Sequence, residues 1–365
     1  MDRRKFLAVA TAATGAPLLT AHTAAAADDH LPALVRRYLD RALEAGSPSA
    51  VCGVVHGART HVAGAGEGPG GSAPDGRTVF QLGSITKTLT ATALARAVCA
   101  GTTRLDAPLV LPARFPVPRK GPRRITLADL ATHTSGLPSL PPNLLAGADP
   151  EDPYAHYTLD DLATGLGETT LATEPGSSYA YSNLGLGLLG QALAFDAVDT
   201  MLRRRVTSPL GLRDTTTTLR PDMASRKAVG HLAGAPVPDW HDHVLSAAGS
   251  SMYSTADDMV RFLRAQLHPG RSPLRAAIEL TQRPRFTAGD QLRVGLGWHL
   301  SPLSGGRTMT WHNGGTGGFS TCAAFSRGSG SAVVMMVNTY SEQTATDHRP
   351  VDALTFALLD ELDAA

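Results

Sequence analysis

A serine and a lysine lie one helical turn apart in the segment Gly83-Ser84-Ile85-Thr86-Lys87. Residues three positions apart share a helix face, so the lysine amine can reach the serine hydroxyl. Serine is a weak nucleophile at neutral pH, and a lysine whose pKa is lowered by burial or a neighbouring cation can act as its base. This pair therefore predicts nucleophilic catalysis by Ser84, although a serine N-cap followed by a surface lysine has the same spacing.

Two further segments carry side chains suited to the same chemistry. Tyr181 begins Tyr-Ser-Asn at 181–183, where a tyrosine beside a lysine can move protons and Asn183 can orient a substrate through its amide. His312 lies in 311–319, where four glycines in five positions let a substrate backbone approach a strand edge. Each segment alone also fits a structural role, as an N-cap or a glycine-rich hairpin turn.

The predicted strands lie near the two ends of the chain, and most predicted helices lie between them. Alternation and apolar runs indicate strands at 49–56, 59–64, 293–300, 308–312, 318–326 and 332–338. Helical periodicity indicates helices at 31–46, 84–100, 126–132, 158–167, 183–195, 198–206, 254–267 and 350–363. We therefore predict an α+β fold, with an antiparallel sheet built from N- and C-terminal segments, flanking helices, and a mostly helical subdomain inserted at about 105–290.

The order and flanks of these motifs resemble the penicillin-recognising serine hydrolases. This family contains class C β-lactamases, D-alanyl-D-alanine carboxypeptidases and related esterases and D-aminopeptidases. The resemblance spans about 30–345 and rests on Phe80-Gln-Leu-Gly-Ser-Ile-Thr-Lys-Thr, Leu127-Ala-Asp-Leu-Ala-Thr-His-Thr-Ser-Gly-Leu-Pro, Tyr181-Ser-Asn-Leu-Gly, Ser208-Pro-Leu-Gly-Leu, Gly249-Ser-Ser-Met-Tyr-Ser-Thr-Ala-Asp-Asp-Met and His312-Asn-Gly-Gly. It implies a β-lactamase/transpeptidase-like fold.

The resemblance also implies a role for each matching residue. Ser84 would form the acyl-enzyme, and Lys87 and Tyr181 would move protons. The implied substrate contacts are the side chains of Asn183 and His312 and an oxyanion hole formed by the amides of Ser84 and Gly315. No metal or cofactor is implied.

The third motif departs from the pattern of the dedicated β-lactamases. Class C β-lactamases typically carry Lys-Thr-Gly there, whereas this chain has His312-Asn-Gly, which is similar to certain carboxypeptidases and D-aminopeptidases. A histidine supplies charge for a substrate carboxylate only when it is protonated. The departure therefore argues against efficient β-lactam hydrolysis.

Three functions remain open from the sequence. The first is an exported serine hydrolase that acts through an acyl-enzyme on D-Ala-D-Ala-type peptides or β-lactams. The second is an esterase or transacylase of small-molecule biosynthesis, in which an alcohol or amine intercepts the acyl-enzyme. The third is a non-catalytic protein that binds β-lactams or peptidoglycan, which an intact Ser84, Lys87 and Tyr181 argue against.

The first 27 residues have the composition of a cleavable export signal. Arg3, Arg4 and Lys5 precede an apolar, alanine-rich stretch that is too short to span a bilayer. A run of small residues follows it, and we expect cleavage near Ala27. The paired arginines are typical of a twin-arginine signal. We therefore expect a secreted single domain at 28–365, without a stable membrane span and monomeric.

Composition and isolated motifs exclude several other partners. A formal charge of +1 provides no basic excess for nucleic acid or an anionic membrane surface. The G-x-G-x-x-G match at 185–190 follows no predicted strand, and the His241/His243 pair lacks a third metal ligand nearby. We expect all three cysteines, Cys52, Cys99 and Cys322, to be buried apolar groups, with a Cys52–Cys322 disulfide as the alternative.

Overall fold

The computed structural model describes residues 20–341 and 349–364. Most of the predicted export signal, residues 1–19, lies outside the described residues. No helix within the described part of the chain is long and apolar enough to cross a membrane.

Strands and helices occur in separate runs along the chain, as in an α+β fold. The helices are α1 Thr20–Glu44, α2 Thr86–Cys99, α3 Leu127–Ala131, α4 Leu159–Glu168, α5 Asn183–Leu193, α6 Val198–Leu202, α7 Ser208–Leu210, α8 Pro221–Ala224, α9 Ala256–Leu267, α10 Arg275–Thr281 and α11 Pro350–Ala364. The strands are β1 Ser49–His56, β2 Arg59–Gly66, β3 Val79–Gln81, β4 Gly230–Leu232, β5 Ala235–Val237, β6 Tyr253–Thr255, β7 Phe286–Gly289, β8 Leu292–Val294, β9 His299–Leu303, β10 Arg307–Gly315, β11 Ser320–Ser326, β12 Ser331–Val337 and β13 Thr339–Tyr340.

The main sheet has eight antiparallel strands in the order β2-β1-β12-β11-β10-β9-β8-β7. The N-terminal hairpin β1–β2 joins the C-terminal strands through β12, where Ala50 pairs with Val337. This confirms the predicted sheet assembled from both ends of the chain. Two small sheets, β13-β4-β5 and β3-β6, accompany it.

Alternating side chains give the sheet an apolar layer on each face. In β1, Val51 and Val55 join the large core that includes α2 and α9, while Cys52 and Val54 face the core formed with α1 and α11. In α1 the buried residues recur at helical spacing: Leu31, Leu34, Val35, Tyr38, Leu39 and Ala42. The sheet is therefore covered by helices on both faces.

The structure interrupts two of the predicted elements. The predicted strand 293–300 is divided into β8 and β9 by a turn in which Gly297 has φ +67° and the Gly295 amide donates to the Trp298 carbonyl. The predicted helix 198–206 changes after α6 into a π-helical turn, Arg203–Thr207. The sequence analysis missed both interruptions, because a turn glycine and a change of helical pitch leave little trace in the apolar pattern around them.

The structure also corrects two expectations about the cysteines. Cys99 is exposed, because it ends α2 at the surface. Cys52 and Cys322 are free and buried, and both pair with Met335 from opposite sides of β12. Two strand spacings separate their Cα atoms by roughly 9–10 Å, which exceeds the reach of a disulfide. The alternative of a Cys52–Cys322 bridge was therefore wrong.

We predict that Gly83→Ala destabilises the fold more than Gly211→Ala does. Both glycines have similar left-handed φ values, +60° and +68°, so both alanines meet a backbone cost of about 1–2 kcal/mol. Only at Gly83 would the new Cβ lie 2.4 Å from the Gly315 amide nitrogen, whereas nothing lies within 4 Å at Gly211. Urea unfolding should give a difference of at least about 2 kcal/mol between the variants, and equal losses would contradict the close contact.

Candidate active site

The candidate nucleophile and its base lie where β3 passes into α2. The backbone forms a 3₁₀ turn at Gly83–Ile85, and Lys87 lies in the first turn of α2. Lys87 Nζ is 2.6 Å from Ser84 Oγ and donates a second hydrogen bond of 2.6 Å to the Ala248 carbonyl. Lys87 is fully buried, and burial holds its pKa well below the usual value. A neutral amine next to a serine hydroxyl is the arrangement a general base requires.

A buried aspartate organises the loop that provides the carbonyl partner of Lys87. Asp242 Oδ1 accepts hydrogen bonds from the amides of Val244 and Leu245, and its other oxygen accepts one from Ser250 Oγ. Burial raises the pKa of Asp242 to about 6. Sequence reasoning favoured a surface or substrate-cleft loop over a metal motif at 240–244 and missed this role of Asp242. An aspartate followed by short side chains in a loop was the available signal.

Tyr181 lies over the lysine, just before α5. Lys87 Nζ is 4.9 Å from the centroid of the Tyr181 ring. Burial raises the pKa of Tyr181, and the opposing effect of its hydrogen bond with Ser84 is smaller. Burial therefore favours the uncharged form of both the Tyr181 phenol and the Lys87 amine. This arrangement makes Lys87 the base and leaves Tyr181 as a hydrogen-bond donor that can relay a proton.

The backbone of β10 is in direct contact with the turn of the nucleophile. A Cβ on Gly314 would lie 2.9 Å from the Ser84 amide nitrogen, and Thr321 Oγ1 donates to the Leu82 carbonyl at 2.7 Å. The amides of Ser84 and Gly315 therefore lie on adjoining segments. Two backbone donors beside a serine nucleophile can stabilise the oxyanion of an acyl transfer.

A cavity of about 630 Å³ opens above Ser84. Tyr181, Asn183 and Gly315, which the sequence assigned to the site, line it, together with several aromatic residues. Asn183 is the first residue of α5, whose N-cap Ser182 accepts a hydrogen bond from the Gly185 amide at 2.9 Å. The N-terminus of this helix therefore directs Asn183 toward the cavity.

Arg349 is the one charged side chain among the described residues that line the cavity. Its Nη1 donates to the Gly314 carbonyl at 2.9 Å and its Nε to the Ser341 carbonyl at 2.8 Å. A Cβ on Gly315 would lie 2.8 Å from Arg349 Nη2, so the guanidinium covers this glycine. Sequence reasoning missed Arg349 because no motif surrounds it.

The placement of His312 differs from the expected substrate contact. The side chain is 1% exposed and is not among the described residues that line the cavity. Its Nδ1 is 2.6 Å from the Asn313 carbonyl oxygen, so Nδ1 carries the proton, and Nε2 is buried without a hydrogen-bond partner among the described groups. Burial, with smaller contributions from His299 and Lys87, holds its pKa well below the usual value. His312 is therefore neutral at pH 7, and a fixed positive charge comes from Arg349.

Three imidazoles surround the Tyr181 ring. His133 stacks on it at 4.4 Å between ring centroids, and His312 and His299 lie at 6.2 and 6.5 Å. His299 also stacks on His312 at 4.9 Å, and its Nε2 is 3.0 Å from the Tyr179 hydroxyl. Burial lowers the pKa of His299 to about 4, with a further effect from Lys87. Burial thus favours the neutral form of the imidazoles that surround Tyr181.

The fold and this site define a serine hydrolase of the β-lactamase family. The family model described as "Beta-lactamase" matches residues 31–357, and the chain belongs to this family. Its structure is similar to a β-lactamase/D-alanine carboxypeptidase from Yersinia pestis complexed with citrate, with a TM-score of 0.77, 26% identity, and coverage of 90% of this chain and 97% of that one.

Characterised relatives in this family have several activities. The D-alanyl-D-alanine-carboxypeptidase/endopeptidase AmpH of Escherichia coli is 33% identical over 266 residues, which are 68% of this chain and 67% of that protein. A β-lactamase of Yersinia enterocolitica is 31% identical over 61% of this chain and 56% of its own length. The esterase EstB of Burkholderia gladioli is 32% identical over 62% of this chain and 66% of its own length.

We predict that His299 makes the fold less stable in acid. Its pKa is about 4 in the fold and 6.5 when unfolded, so between these values the unfolded chain binds a proton that the folded chain does not. As the pH falls from 7.5 to 4.5, the free energy of unfolding of the wild type should therefore fall by up to about 3 kcal/mol more than that of His299→Gln. Urea unfolding measures it, with the exposed His156→Gln as control, and a difference independent of pH would contradict the prediction.

Proposed function

We propose that this chain is an exported serine peptidase that acts through an acyl-enzyme at Ser84 on D-Ala-D-Ala-type peptides, or on β-lactams, that carry a free carboxylate. One observation carries the proposal: the Arg349 guanidinium lies over Gly315 in the same cavity as the Ser84–Lys87 pair. No carboxylate among the described residues pairs with Arg349, so a substrate carboxylate can. The similarity to the carboxypeptidase AmpH supports a peptide substrate.

The geometry supports a sequence of proton transfers. The neutral Lys87 amine takes the proton from Ser84 Oγ as this oxygen forms a bond to the substrate carbonyl carbon. The amides of Ser84 and Gly315 stabilise the resulting oxyanion. Tyr181 relays a proton from the lysine ammonium to the leaving amine nitrogen as the amide C–N bond breaks. Water, activated by the regenerated lysine, then cleaves the acyl-enzyme ester and restores Ser84.

Substrate orientation follows from the groups around the nucleophile. The amide of Asn183 can hydrogen-bond to the acyl side of the substrate, and Arg349 can bind the carboxylate of its C-terminal residue. The aromatic side chains Tyr154, Trp240 and Trp311 line the remaining wall. The leaving residue is therefore expected to be short, uncharged in its side chain, and terminated by a carboxylate.

An ester substrate is the second candidate. It is supported by the 32% identity to EstB and by the apolar, aromatic part of the cavity wall. A hydrolysis screen with a D-Ala-D-Ala peptide, a cephalosporin and a short ester separates the candidates. Fast turnover of the ester without peptide hydrolysis would favour the esterase, and acyl transfer to an added amine or alcohol would favour a transacylase.

Export and the monomeric state are part of the proposal. The paired arginines and the alanine-rich stretch of residues 1–27 support translocation through a twin-arginine pathway. Replacing Arg3 and Arg4 together by lysine should keep the protein in the cytoplasm. Fractionation of cells that express the full chain measures this, and light scattering of the purified protein gives its mass.

We predict that Ser84→Ala abolishes covalent labelling and that Lys87→Ala slows it by several orders of magnitude. General-base catalysis contributes about 10²- to 10⁴-fold, and the serine provides the only bond to the acyl group in this mechanism. Intact-protein mass spectrometry after incubation with a penicillin, and separately with an activated ester, measures the adduct. A stable adduct indicates a peptidase, and rapid turnover a β-lactamase. Labelling of the Ser84→Ala variant, or a wild type that neither forms an adduct nor turns over either reagent, would refute the acyl-enzyme.

We predict that Arg349→Gln weakens catalysis only on substrates with a free carboxylate. Hydrogen bonds to a charged group contribute about 1.5–3 kcal/mol, so kcat/KM for a D-Ala-D-Ala peptide should fall by about 10- to 100-fold. The same peptide with a C-terminal amide is the matched substrate and should show little change, and Arg104→Gln, at an exposed ion pair with Asp106, is the matched variant. An equal loss on both substrates would show that Arg349 acts only by holding Gly314.

A further inference from the structure

His133 holds the backbone on both sides of Tyr181. Its carbonyl accepts a hydrogen bond of 2.8 Å from the Ala180 amide, and its Nδ1 accepts one of 3.0 Å from the Ser182 amide. Its ring stacks on the Tyr181 ring with an interplanar angle of 27°. A single residue from the loop after α3 therefore fixes the residue before Tyr181, the residue after it and the plane of its ring.

The bond to Ser182 determines the protonation state of His133. An amide N–H only donates, so Nδ1 has to be the unprotonated nitrogen, and the neutral ring carries its proton on Nε2. Nε2 is buried and has no hydrogen-bond partner among the described groups, and the whole residue is 3% exposed. An unpaired buried N–H costs free energy, on the order of 1–3 kcal/mol. The stability of the fold therefore does not explain why a histidine occupies this position.

The backbone of His133 has a second unfavourable feature. Its φ is +58°, in the left-handed region that non-glycine residues seldom occupy. Glycine would adopt this conformation without strain, and asparagine with little. Backbone strain of this kind often accompanies a functional constraint. Here the constraint is contact with Tyr181.

We infer that His133 is a positioning residue that holds the Tyr181 hydroxyl in line with Ser84 for proton transfer. The inference rests on the proposed function, because it requires Tyr181 to relay a proton to the leaving group. It assigns a role to His133 that neither its position in a loop nor its residue type suggested from the sequence. His133 does not itself line the cavity.

Three variants separate positioning from a structural role. His133→Gly removes the ring and the acceptor but relieves the strained φ. His133→Asn tolerates the same φ and places its Oδ1 near the position of Nδ1, so that the Ser182 amide keeps an acceptor. Thr132→Val is the matched control, because Thr132 is also buried in this loop and bonds to the Ala128 carbonyl and Thr134, without contacting Tyr181.

The choice of leaving group gives a readout that loss of stability does not change. The nitrogen requires a proton when the amide C–N bond breaks, whether it stays tethered in the opened ring of a penicillin or departs as the amine of a peptide, whereas p-nitrophenolate leaves without one. We expect His133→Gly to lower the acylation rate with a fluorescent penicillin by about 100-fold, within the range for one proton-transfer group. With p-nitrophenyl acetate the loss should be under about fivefold. With the penicillin, His133→Asn should be acylated at least tenfold faster than His133→Gly, and Thr132→Val should be acylated at the wild-type rate.

The inference fails if the acylation rate of His133→Gly falls by the same factor on both substrates or equals the wild-type rate. It also fails if His133→Asn is acylated by the penicillin no faster than His133→Gly. Circular dichroism and thermal melting establish that each variant folds. If His133→Gly does not fold, His133→Asn provides the test. A fall of more than about tenfold in its acylation rate with the penicillin would then refute the positioning role of His133. A wild-type protein that neither reagent acylates would refute the proposed function instead, so the two failures are distinguishable.

Discussion

The site depends on a lysine amine held in the interior, where burial favours its uncharged form. Burial of Lys87 removes water from Nζ, and the contacts that replace it are the Ser84 hydroxyl and the Ala248 carbonyl. Among the described residues no carboxylate contributes to the pKa of Lys87, and burial is the cause of its lowered value. An adjacent carboxylate would stabilise the ammonium and abolish its capacity as a base. The same exclusion of charge extends to the neutral histidines around Tyr181.

Three distant segments meet at Ser84 because glycines allow their backbones to touch. Gly83 and Gly314 bring the nucleophile turn against β10, and a Cβ on Gly249 would lie 2.2 Å from the Gly83 carbonyl oxygen. These contacts connect the N-terminal helix α2, the loop that ends at Gly249 and the C-terminal strands. The loop is fixed in turn by Asp242, which lies beneath it. Catalytic geometry is thus supported by backbone packing more than by side-chain contacts.

Electrostatics divide the site into two regions. The protein side of Tyr181 holds neutral groups in a region of low solvent access, whereas the cavity side carries the permanent charge of Arg349. A substrate that brings its own carboxylate would meet this cation in the open cavity.

The sequence by itself determined the family, the α+β class, the sheet built from both chain ends and the spacing that brings Ser84 and Lys87 together. Local spacing was sufficient for Ser84 and Lys87, because one helical turn fixes their separation. It did not reveal Arg349, Asp242, His299 or the contacts of His133, because their roles depend on burial and on which segments the fold brings together around Ser84. The neutral state of His312 was likewise decided by the tertiary structure, since only packing determines how far water is excluded from an imidazole.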